Sequence, residues 1–415
     1  MNSNKHDFSP LQDKNEINDP AIDTLTEGWL HKVIMAFHQP THWLTWQVVG
    51  FGVVLSAVMG LLWWRILNNS PRLGTGVFLM QMGFFVLDAA VLLYLPWQKI
   101  SFGPWKAQIV VLTVPRVLTT FILAFIALQF GFRPSFILNF GVQLLATAAL
   151  IYGAVIEPHN LQLSEFVIFS DRLPLQTDPI KILQITDLHI ERWTRRESKV
   201  LQIVKNVKPD VIIVTGDYVN TSYNEDPETH ALVRRLLSQL KAPYGVFATL
   251  GSPPVDLRDQ VLPIFDGLNI KLLRHDIELL EFENGGRLAV LGMDCTHHLP
   301  TDEARLARLV SRAPHDVPQL FVFHSPEMMP QATAHGIDLY MCGHTHGGQV
   351  RVPIIGPLLT SSQLGRQYVM GMYKEWRTHL YVSRGIGLEG MSAPRVRFLC
   401  PPEMTLMVIM PSGQT

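Results

Sequence analysis

What most constrains this chain is a run of four apolar stretches between Trp43 and Ile156, joined by short polar turns. Trp43–Trp64 carries no formal charge, and its length of about 22 residues matches the ~20 needed for a helix to cross ~30 Å of hydrocarbon. Leu73–Leu95, Ala107–Phe132 and Pro134–Ile156 follow in the same manner. Trp43, Trp46, Trp63, Trp64, Trp97 and Trp105 sit near the ends, where amphipathic rings prefer the membrane–water interface. A set of buried soluble helices would not need such length four times over. The pattern therefore predicts a bundle of four transmembrane α-helices over residues 43–156, in a multi-pass integral membrane protein. Residues 1–42 form a polar segment leaning acidic, with Asp7, Asp13, Glu16, Asp19, Asp23 and Glu27, and show no cleavable signal peptide. Within that segment, Leu25–Phe37 suggests a short solvated amphipathic helix.

Two apolar segments carry a charge: Asp88 in the second and Arg116 in the third. Asp88 lies eight residues before Pro96 and Arg116 nine after Ala107, so both sit at similar depth from one connecting loop. Lone charges in hydrocarbon are costly, so an Asp88–Arg116 pair across neighbouring helices is expected. An even number of crossings places both termini on one side. Lys32, Lys99, Lys106 and Arg172 on that side oppose Arg65, Arg72 and Arg133 on the other, a thin positive-inside bias that leans towards a cytoplasmic C-terminal half. A bacterial inner membrane is the expected location.

From residue 181 the solvent changes. After a 157–180 linker, short apolar runs end in polar loops: KILQITDLH, DVIIVTGDY, YGVFATLGS, LAVLGMD, QLFVFHSPE and DLYMCGHTH. Their length and β-branched content predict buried strands, and stretches such as 197–207, 228–240 and 302–311 between them predict helices. Residues 181–415 thus read as a layered α/β domain. The formal net charge of −1 argues against nucleic acid as the main partner, since binding a phosphate backbone needs a basic face. Cys295, Cys342 and Cys400 are scattered and odd in number, which implies no disulfide framework.

Five strand ends carry metal-binding side chains. Asp187 and His189 follow the first, Asp217 the second, His324 the fifth, and His344 with His346 the sixth. Carboxylate oxygen and imidazole nitrogen suit Mn, Fe or Zn, and are too nitrogen-rich for calcium. Loops that leave adjacent strands at one sheet edge converge, so distant residues can share a site. The glycines around His344 and His346 permit close backbone approach and unusual dihedrals.

Taken in order, DLH (187–189), GDYVN (216–220), GSPP (251–254), FHSPE (323–327) and GHTH (343–346) resemble the calcineurin-like metallophosphoesterase superfamily, over Lys181 to about Ile409. The family pattern is D-x-H, G-D-x-x-[DN], G-N-H-[DE], a lone H, and G-H-x-H. The continuation GGQVRVP and the late RFLCPPEMTL are similar to a membrane-associated branch acting on phosphorylated lipids or envelope precursors. The resemblance implies a β-sandwich flanked by helices, with two divalent transition metals at the sheet edge. Asp187, His189 and His346 would hold the first metal. Asp217 would bridge to the second, which His324 and His344 would also bind. Such a pair neutralises phosphate charge and lowers the pKa of a bridging water for in-line attack on phosphorus.

The third block departs from the pattern. Ser252 stands where the family has a metal-binding asparagine, and Pro253 where it has a histidine that assists the leaving group. Ser252 is then a weak ligand at best for the second metal, Asp256 is a nearby carboxylate, and His297 and His298 are candidates for replacing the acid. Losing general-acid help costs ~10²–10⁴-fold in rate, least for a good leaving group such as a phosphoanhydride. The expected function is a membrane-anchored phosphohydrolase acting on a phosphoester or pyrophosphate. Its partners would be membrane lipids and a phosphorylated lipid or nucleotide-sugar substrate, with family members that cleave UDP-diacylglucosamine as one concrete case. The alternative is a catalytically impaired metal- or phosphate-binding membrane sensor or scaffold. A transporter with a regulatory domain would rest on Asp88 and Arg116 alone.

Overall fold

A computed structural model of the chain describes residues 29–67, 70–283 and 285–413. The acidic residues of the N-terminal segment lie outside them, as do residues 25–28 of the expected amphipathic helix, whose remainder falls within α1 (Trp29–His38). The chain divides into two compact units. One comprises residues 26–159 together with 389–398, and the other holds the rest.

Four long apolar helices build the first unit: α2 (Thr45–Ile66), α3 (Pro71–Trp97), α4 (Trp105–Phe130) and α5 (Phe132–Ile151). Each is long and apolar enough to cross a membrane. Their outer faces expose Leu, Ile, Val and Phe, while the bundle interior is unusually polar, with Gln81, Asp88, Arg116, Thr120, Asn139, Gln143 and Thr147 all buried. Gly60 of α2 faces Gly74 of α3 so closely that a Cβ on either would fall within 3 Å of the other's carbonyl oxygen. Small residues at such a crossing let backbones approach where no hydrophobic force drives association. The segment 389–398, which the sequence places in the C-terminal domain, belongs to this unit: Arg397 donates its backbone N–H to Gly153.

Two six-stranded mixed sheets make up the second unit. The first has the order β1 (Gln162–Ser170), β14 (Glu403–Pro411), β2 (Ile180–Ile185), β3 (Val211–Thr215), β4 (Val246–Thr249), β5 (Lys271–Leu272). The second runs β12 (Gly371–Glu375), β13 (Thr378–Val382), β9 (Leu339–Cys342), β8 (Gln319–Val322), β7 (Arg287–Gly292), β6 (Asp276–Glu281). A two-residue pair, β10 (Arg351–Val352) with β11 (Gly356–Pro357), forms a separate hairpin. The 157–180 stretch is not a bare linker, because β1 lies within it and pairs in parallel with β14 along its whole length.

Alternation along each strand sorts its side chains into layers. Val211 and Ile213 point into the core shared with Val290, Leu320, Val322 and Met341 of the facing sheet. Ile212 and Val214 point the other way, under α6 (Arg195–Val207) and α7 (Pro227–Leu237). On the far side, Leu291, Phe321 and Tyr340 pack beneath α8 (Leu299–Arg312) and α9 (Met329–Ala334). Strands buried on both faces read as continuous apolar runs rather than alternating ones, which is why the sequence shows VIIV and LYMC. The start of α6 is set by a capping box: the Thr194 hydroxyl accepts from Arg196 N–H, and Glu197 accepts from Thr194 N–H. This is a β-sandwich flanked by helices whose parallel strands β2, β3, β4, β7, β8 and β9 discharge their loops at carboxyl ends, the usual place for a ligand in α/β sheets.

Candidate metal centre

The six residues singled out at strand ends meet at that rim. Asp187 and His189 follow β2, Asp217 follows β3, His324 follows β8, and His344 and His346 follow β9. They form two adjoining triads, Asp187–His189–His346 and Asp217–His324–His344, each with its candidate ligand atoms within 4.8 Å of one another. All six are buried.

Within the rim, His189 Nε2 lies 3.0 Å from His346 Nε2 and 3.5 Å from Asp217 Oδ2. His346 Nε2 is 3.6 Å from Asp187 Oδ1, and His324 Nε2 is 3.2 Å from Asp217 Oδ2. Asp217 thus stands between the triads. Two imidazole nitrogens turned towards each other repel unless a proton or a cation lies between them, and the flanking carboxylates add negative charge at the same place. This donor set fits a pair of divalent cations. With only oxygen and nitrogen donors, and no thiolate among them, it suits Mn, Fe or Zn.

The backbone bends sharply to achieve this. Asp187, His189, Asp217, His344 and His346 all have left-handed φ, between 38° and 72°. Non-glycine residues in this region are uncommon and cluster at functional sites, where surrounding bonds over-determine the strained conformation. Here those bonds continue the sheet ladders past the strand ends: Asp187 N–H to Gly216 O, His189 N–H to Asp217 O, Gly343 N–H to His324 O and Gly387 N–H to Asp187 O. The glycine before His344 is required by space. A Cβ on Gly343 would lie 2.1 Å from Asp187 Oδ2. Its absence lets the His344 N–H reach Asp187 Oδ1 at 3.0 Å.

Electrostatics follow from burial and crowding. Burial opposes charge on the His324 ring, but Asp217 and Asp187 outweigh it and hold the pKa at about 10. Burial likewise raises Asp217, yet His324 and His189 bring its carboxyl well below the ordinary range. Burial lifts Asp187 above its usual value. The His324 Nδ1–H donates to Thr215 O at 2.7 Å, which orients the ring and turns Nε2 to the rim.

Around the divergent third block, the structure sorts the remaining candidates. Ser252 lies at the second triad: its N–H donates to Asp217 Oδ1 at 2.8 Å, and its hydroxyl is 3.0 Å from His297 Nε2 and 3.5 Å from His344 Nδ1. Pro253 is half-buried in the following turn and offers no donor. Asp256 is no ligand. Its carboxylate accepts the N–H groups of Gly251, Asp217 and Tyr218, clamping two ligand loops together. His298 precedes α8, with its ring against the Thr301 hydroxyl at 2.8 Å, and takes no part in the rim. His297 does: together with Glu327 and His344 it forms a third buried group of donors within 4.8 Å. Glu327 went unassigned in the sequence, although it closes the FHSPE block.

Comparison with known proteins gives a consistent picture. The calcineurin-like phosphoesterase family matches residues 180–348. Metallophosphoesterase YkuE of Bacillus subtilis (strain 168) is 30% identical over 268 residues, covering 62% of this chain and 88% of that protein. Phosphodiesterase YaeI of Escherichia coli (strain K12) is 27% identical over 237 residues, covering 55% of this chain and 82% of the relative. A metallophosphoesterase of Aquifex aeolicus (strain VF5) is 27% identical over 280 residues, covering 64% of this chain and 98% of its own length.

Proposed function

The chain belongs to the calcineurin-like phosphoesterase family, and on that premise we propose that it is a membrane-anchored, metal-dependent phosphohydrolase whose substrate lies at the bilayer. The observation that carries the reading is the pair of adjoining buried triads sharing Asp217 as their common edge. Asp187, His189 and His346 would hold one cation; His324 and His344 would hold the other, with Asp217 between them. When bound, two divalent cations neutralise phosphate charge and lower the pKa of a water held between them. The chain's own part is to aim its ligands, through the Thr215 bond to His324 and the Asp187 bond to His344.

Two features support a lipid-linked substrate. Four apolar helices exceed what a soluble metabolite requires. The hairpin that leaves the glycine-rich loop also exposes Ile354, Ile355, Leu358 and Leu359 together, an apolar tip beside the site. Replacing Ile354 and Ile355 with serine is expected to raise KM for a lipid-linked substrate at least about 10²-fold relative to a water-soluble ester, since each buried isoleucine is worth ~1.5–3 kcal/mol and ~1.4 kcal/mol is tenfold. An equal effect on both substrates would remove the lipid assignment.

Pro253 supplies no proton to a leaving group, so the chemistry should favour leaving groups that need none. In the full chain, purified in detergent and loaded with Mn²⁺, a phosphoanhydride should be turned over ~10²–10⁴-fold faster than an alkyl phosphomonoester. Comparable rates on the two would show that an acid is present. No turnover of any phosphoester by protein carrying both metals would favour the second reading, a metal-binding sensor or scaffold, which Ser252 and Pro253 support.

A further inference from the structure

The second triad has three side chains where the family pattern has four, and a buried imidazole stands beside the gap in the pattern. We propose that His297 is the fourth ligand of the second cation, replacing the asparagine that the family carries where this chain has Ser252. The inference deepens the two-cation reading and rests on it.

Serine is shorter than asparagine, and its hydroxyl is in hydrogen-bond contact with His297 Nε2 at 3.0 Å, which holds that ring nitrogen beside the second triad. The imidazole comes from the loop after β7. Its ring centroid lies 4.6 Å from that of His344 and 6.4 Å from that of His324, so it packs beside the two imidazoles of the second triad. Like five of the six other rim residues, His297 has a left-handed backbone, with φ of 58°.

The opposite ring nitrogen has a carboxylate on its side, just beyond hydrogen-bond distance. His297 Nδ1 lies 4.0 Å from Glu327 Oε2, a carboxylate oxygen with no hydrogen-bond partner, and both side chains are buried. A metal-bound histidine commonly donates its other N–H to a carboxylate, which fixes the tautomer and strengthens the ligand. Gln363 braces the pair: its N–H donates to Glu327 Oε1 at 3.0 Å and its side-chain amide donates to His297 O at 2.8 Å. With the proton on Nδ1, on the side of Glu327, the Nε2 lone pair is left on the side of Ser252 and His344. A histidine acting instead as general acid would have to carry its proton on that same inward nitrogen.

Metal stoichiometry separates these roles. The full chain in detergent is stripped with chelator, reloaded with Zn²⁺, and measured by elemental analysis and titration calorimetry. Wild type should bind two equivalents. His297→Ala should keep one at wild-type affinity, which also reports an intact fold, and bind the second at least about tenfold more weakly. Glu327→Gln should weaken only the second ion, by ~10–100-fold. Adding Ser252→Asn to His297→Ala should restore the second equivalent. Two equivalents of unchanged affinity in His297→Ala would overturn the assignment, and if turnover then fell mainly for poor leaving groups, His297 would be the acid. A single equivalent in wild type would overturn it as well, while zinc absent from wild type would remove both this ligand and the phosphohydrolase reading.

Discussion

Asp217→Asn is expected to lower kcat/KM at least about 10³-fold at saturating Mn²⁺ and to weaken both cations. Its carboxylate touches both triads, 3.5 Å from His189 and 3.2 Å from His324. Asparagine keeps the shape and tolerates the left-handed backbone at this position, where φ is 55°. What it removes is one negative charge from between two cations. Metal-borne charge stabilisation of a phosphoryl transition state is worth several kcal/mol, and about 4 kcal/mol corresponds to ~10³ in rate. Elemental analysis of the same preparation should show loss of metal, most from the second triad, because the first retains Asp187. A variant that kept both metals and more than a tenth of the wild-type rate would mean that Asp217 does not join the two sites, and the mechanism would need a different centre.

The parts of this protein that sequence makes visible are those written in local periodicity. Apolar length announced the four helices, and VIIV or LYMC between polar loops announced strands buried on both faces. The ligand set was visible because the family spaces it in short blocks at strand ends. What escaped depends on contacts between distant segments. β1 was read as linker because its partner, β14, lies more than 200 residues on. Residues 389–398 carry no helical or apolar signal, so their place beside Gly153 in the helical unit could not be read from them. Proximity in sequence also misled at the third block. Asp256 is five residues from Gly251, yet it is consumed by three backbone N–H groups. His297 is 45 residues from Ser252, yet it touches its hydroxyl. A cheap signal for it did exist, since a His-His pair follows a predicted strand end just as the known ligands do. Choosing between His297 and His298 required the fold, which spends one at the start of α8 and turns the other inward.

The other large effect lies in the helical bundle. Arg116 makes two bonds of 2.6 Å to the Asp88 carboxylate, and its remaining donors reach Gln143 O, Gln143 Oε1 and Thr147 Oγ1. Phe84 covers the guanidinium, 5.1 Å from its ring centre. Gln81, Thr120 and Asn139 extend the same network along α3, α4 and α5. With every Arg116 contact fixed by several partners, the arrangement is that of a clamp between helices rather than a relay that must open. Removing one partner leaves an uncompensated buried charge, at a cost of about 3–5 kcal/mol, whereas replacing both with apolar groups of similar volume is often close to neutral. Asp88→Leu alone and Arg116→Met alone should therefore each lower the thermal midpoint of the purified full chain sharply. The double variant should recover most of the loss. Thermal unfolding in detergent, followed by helical circular dichroism, measures all four proteins of the cycle. If the double variant were as unstable as the sum of the singles, the two charges would be acting independently, and the polar interior of the bundle would need another explanation, with ion or proton passage the first to test.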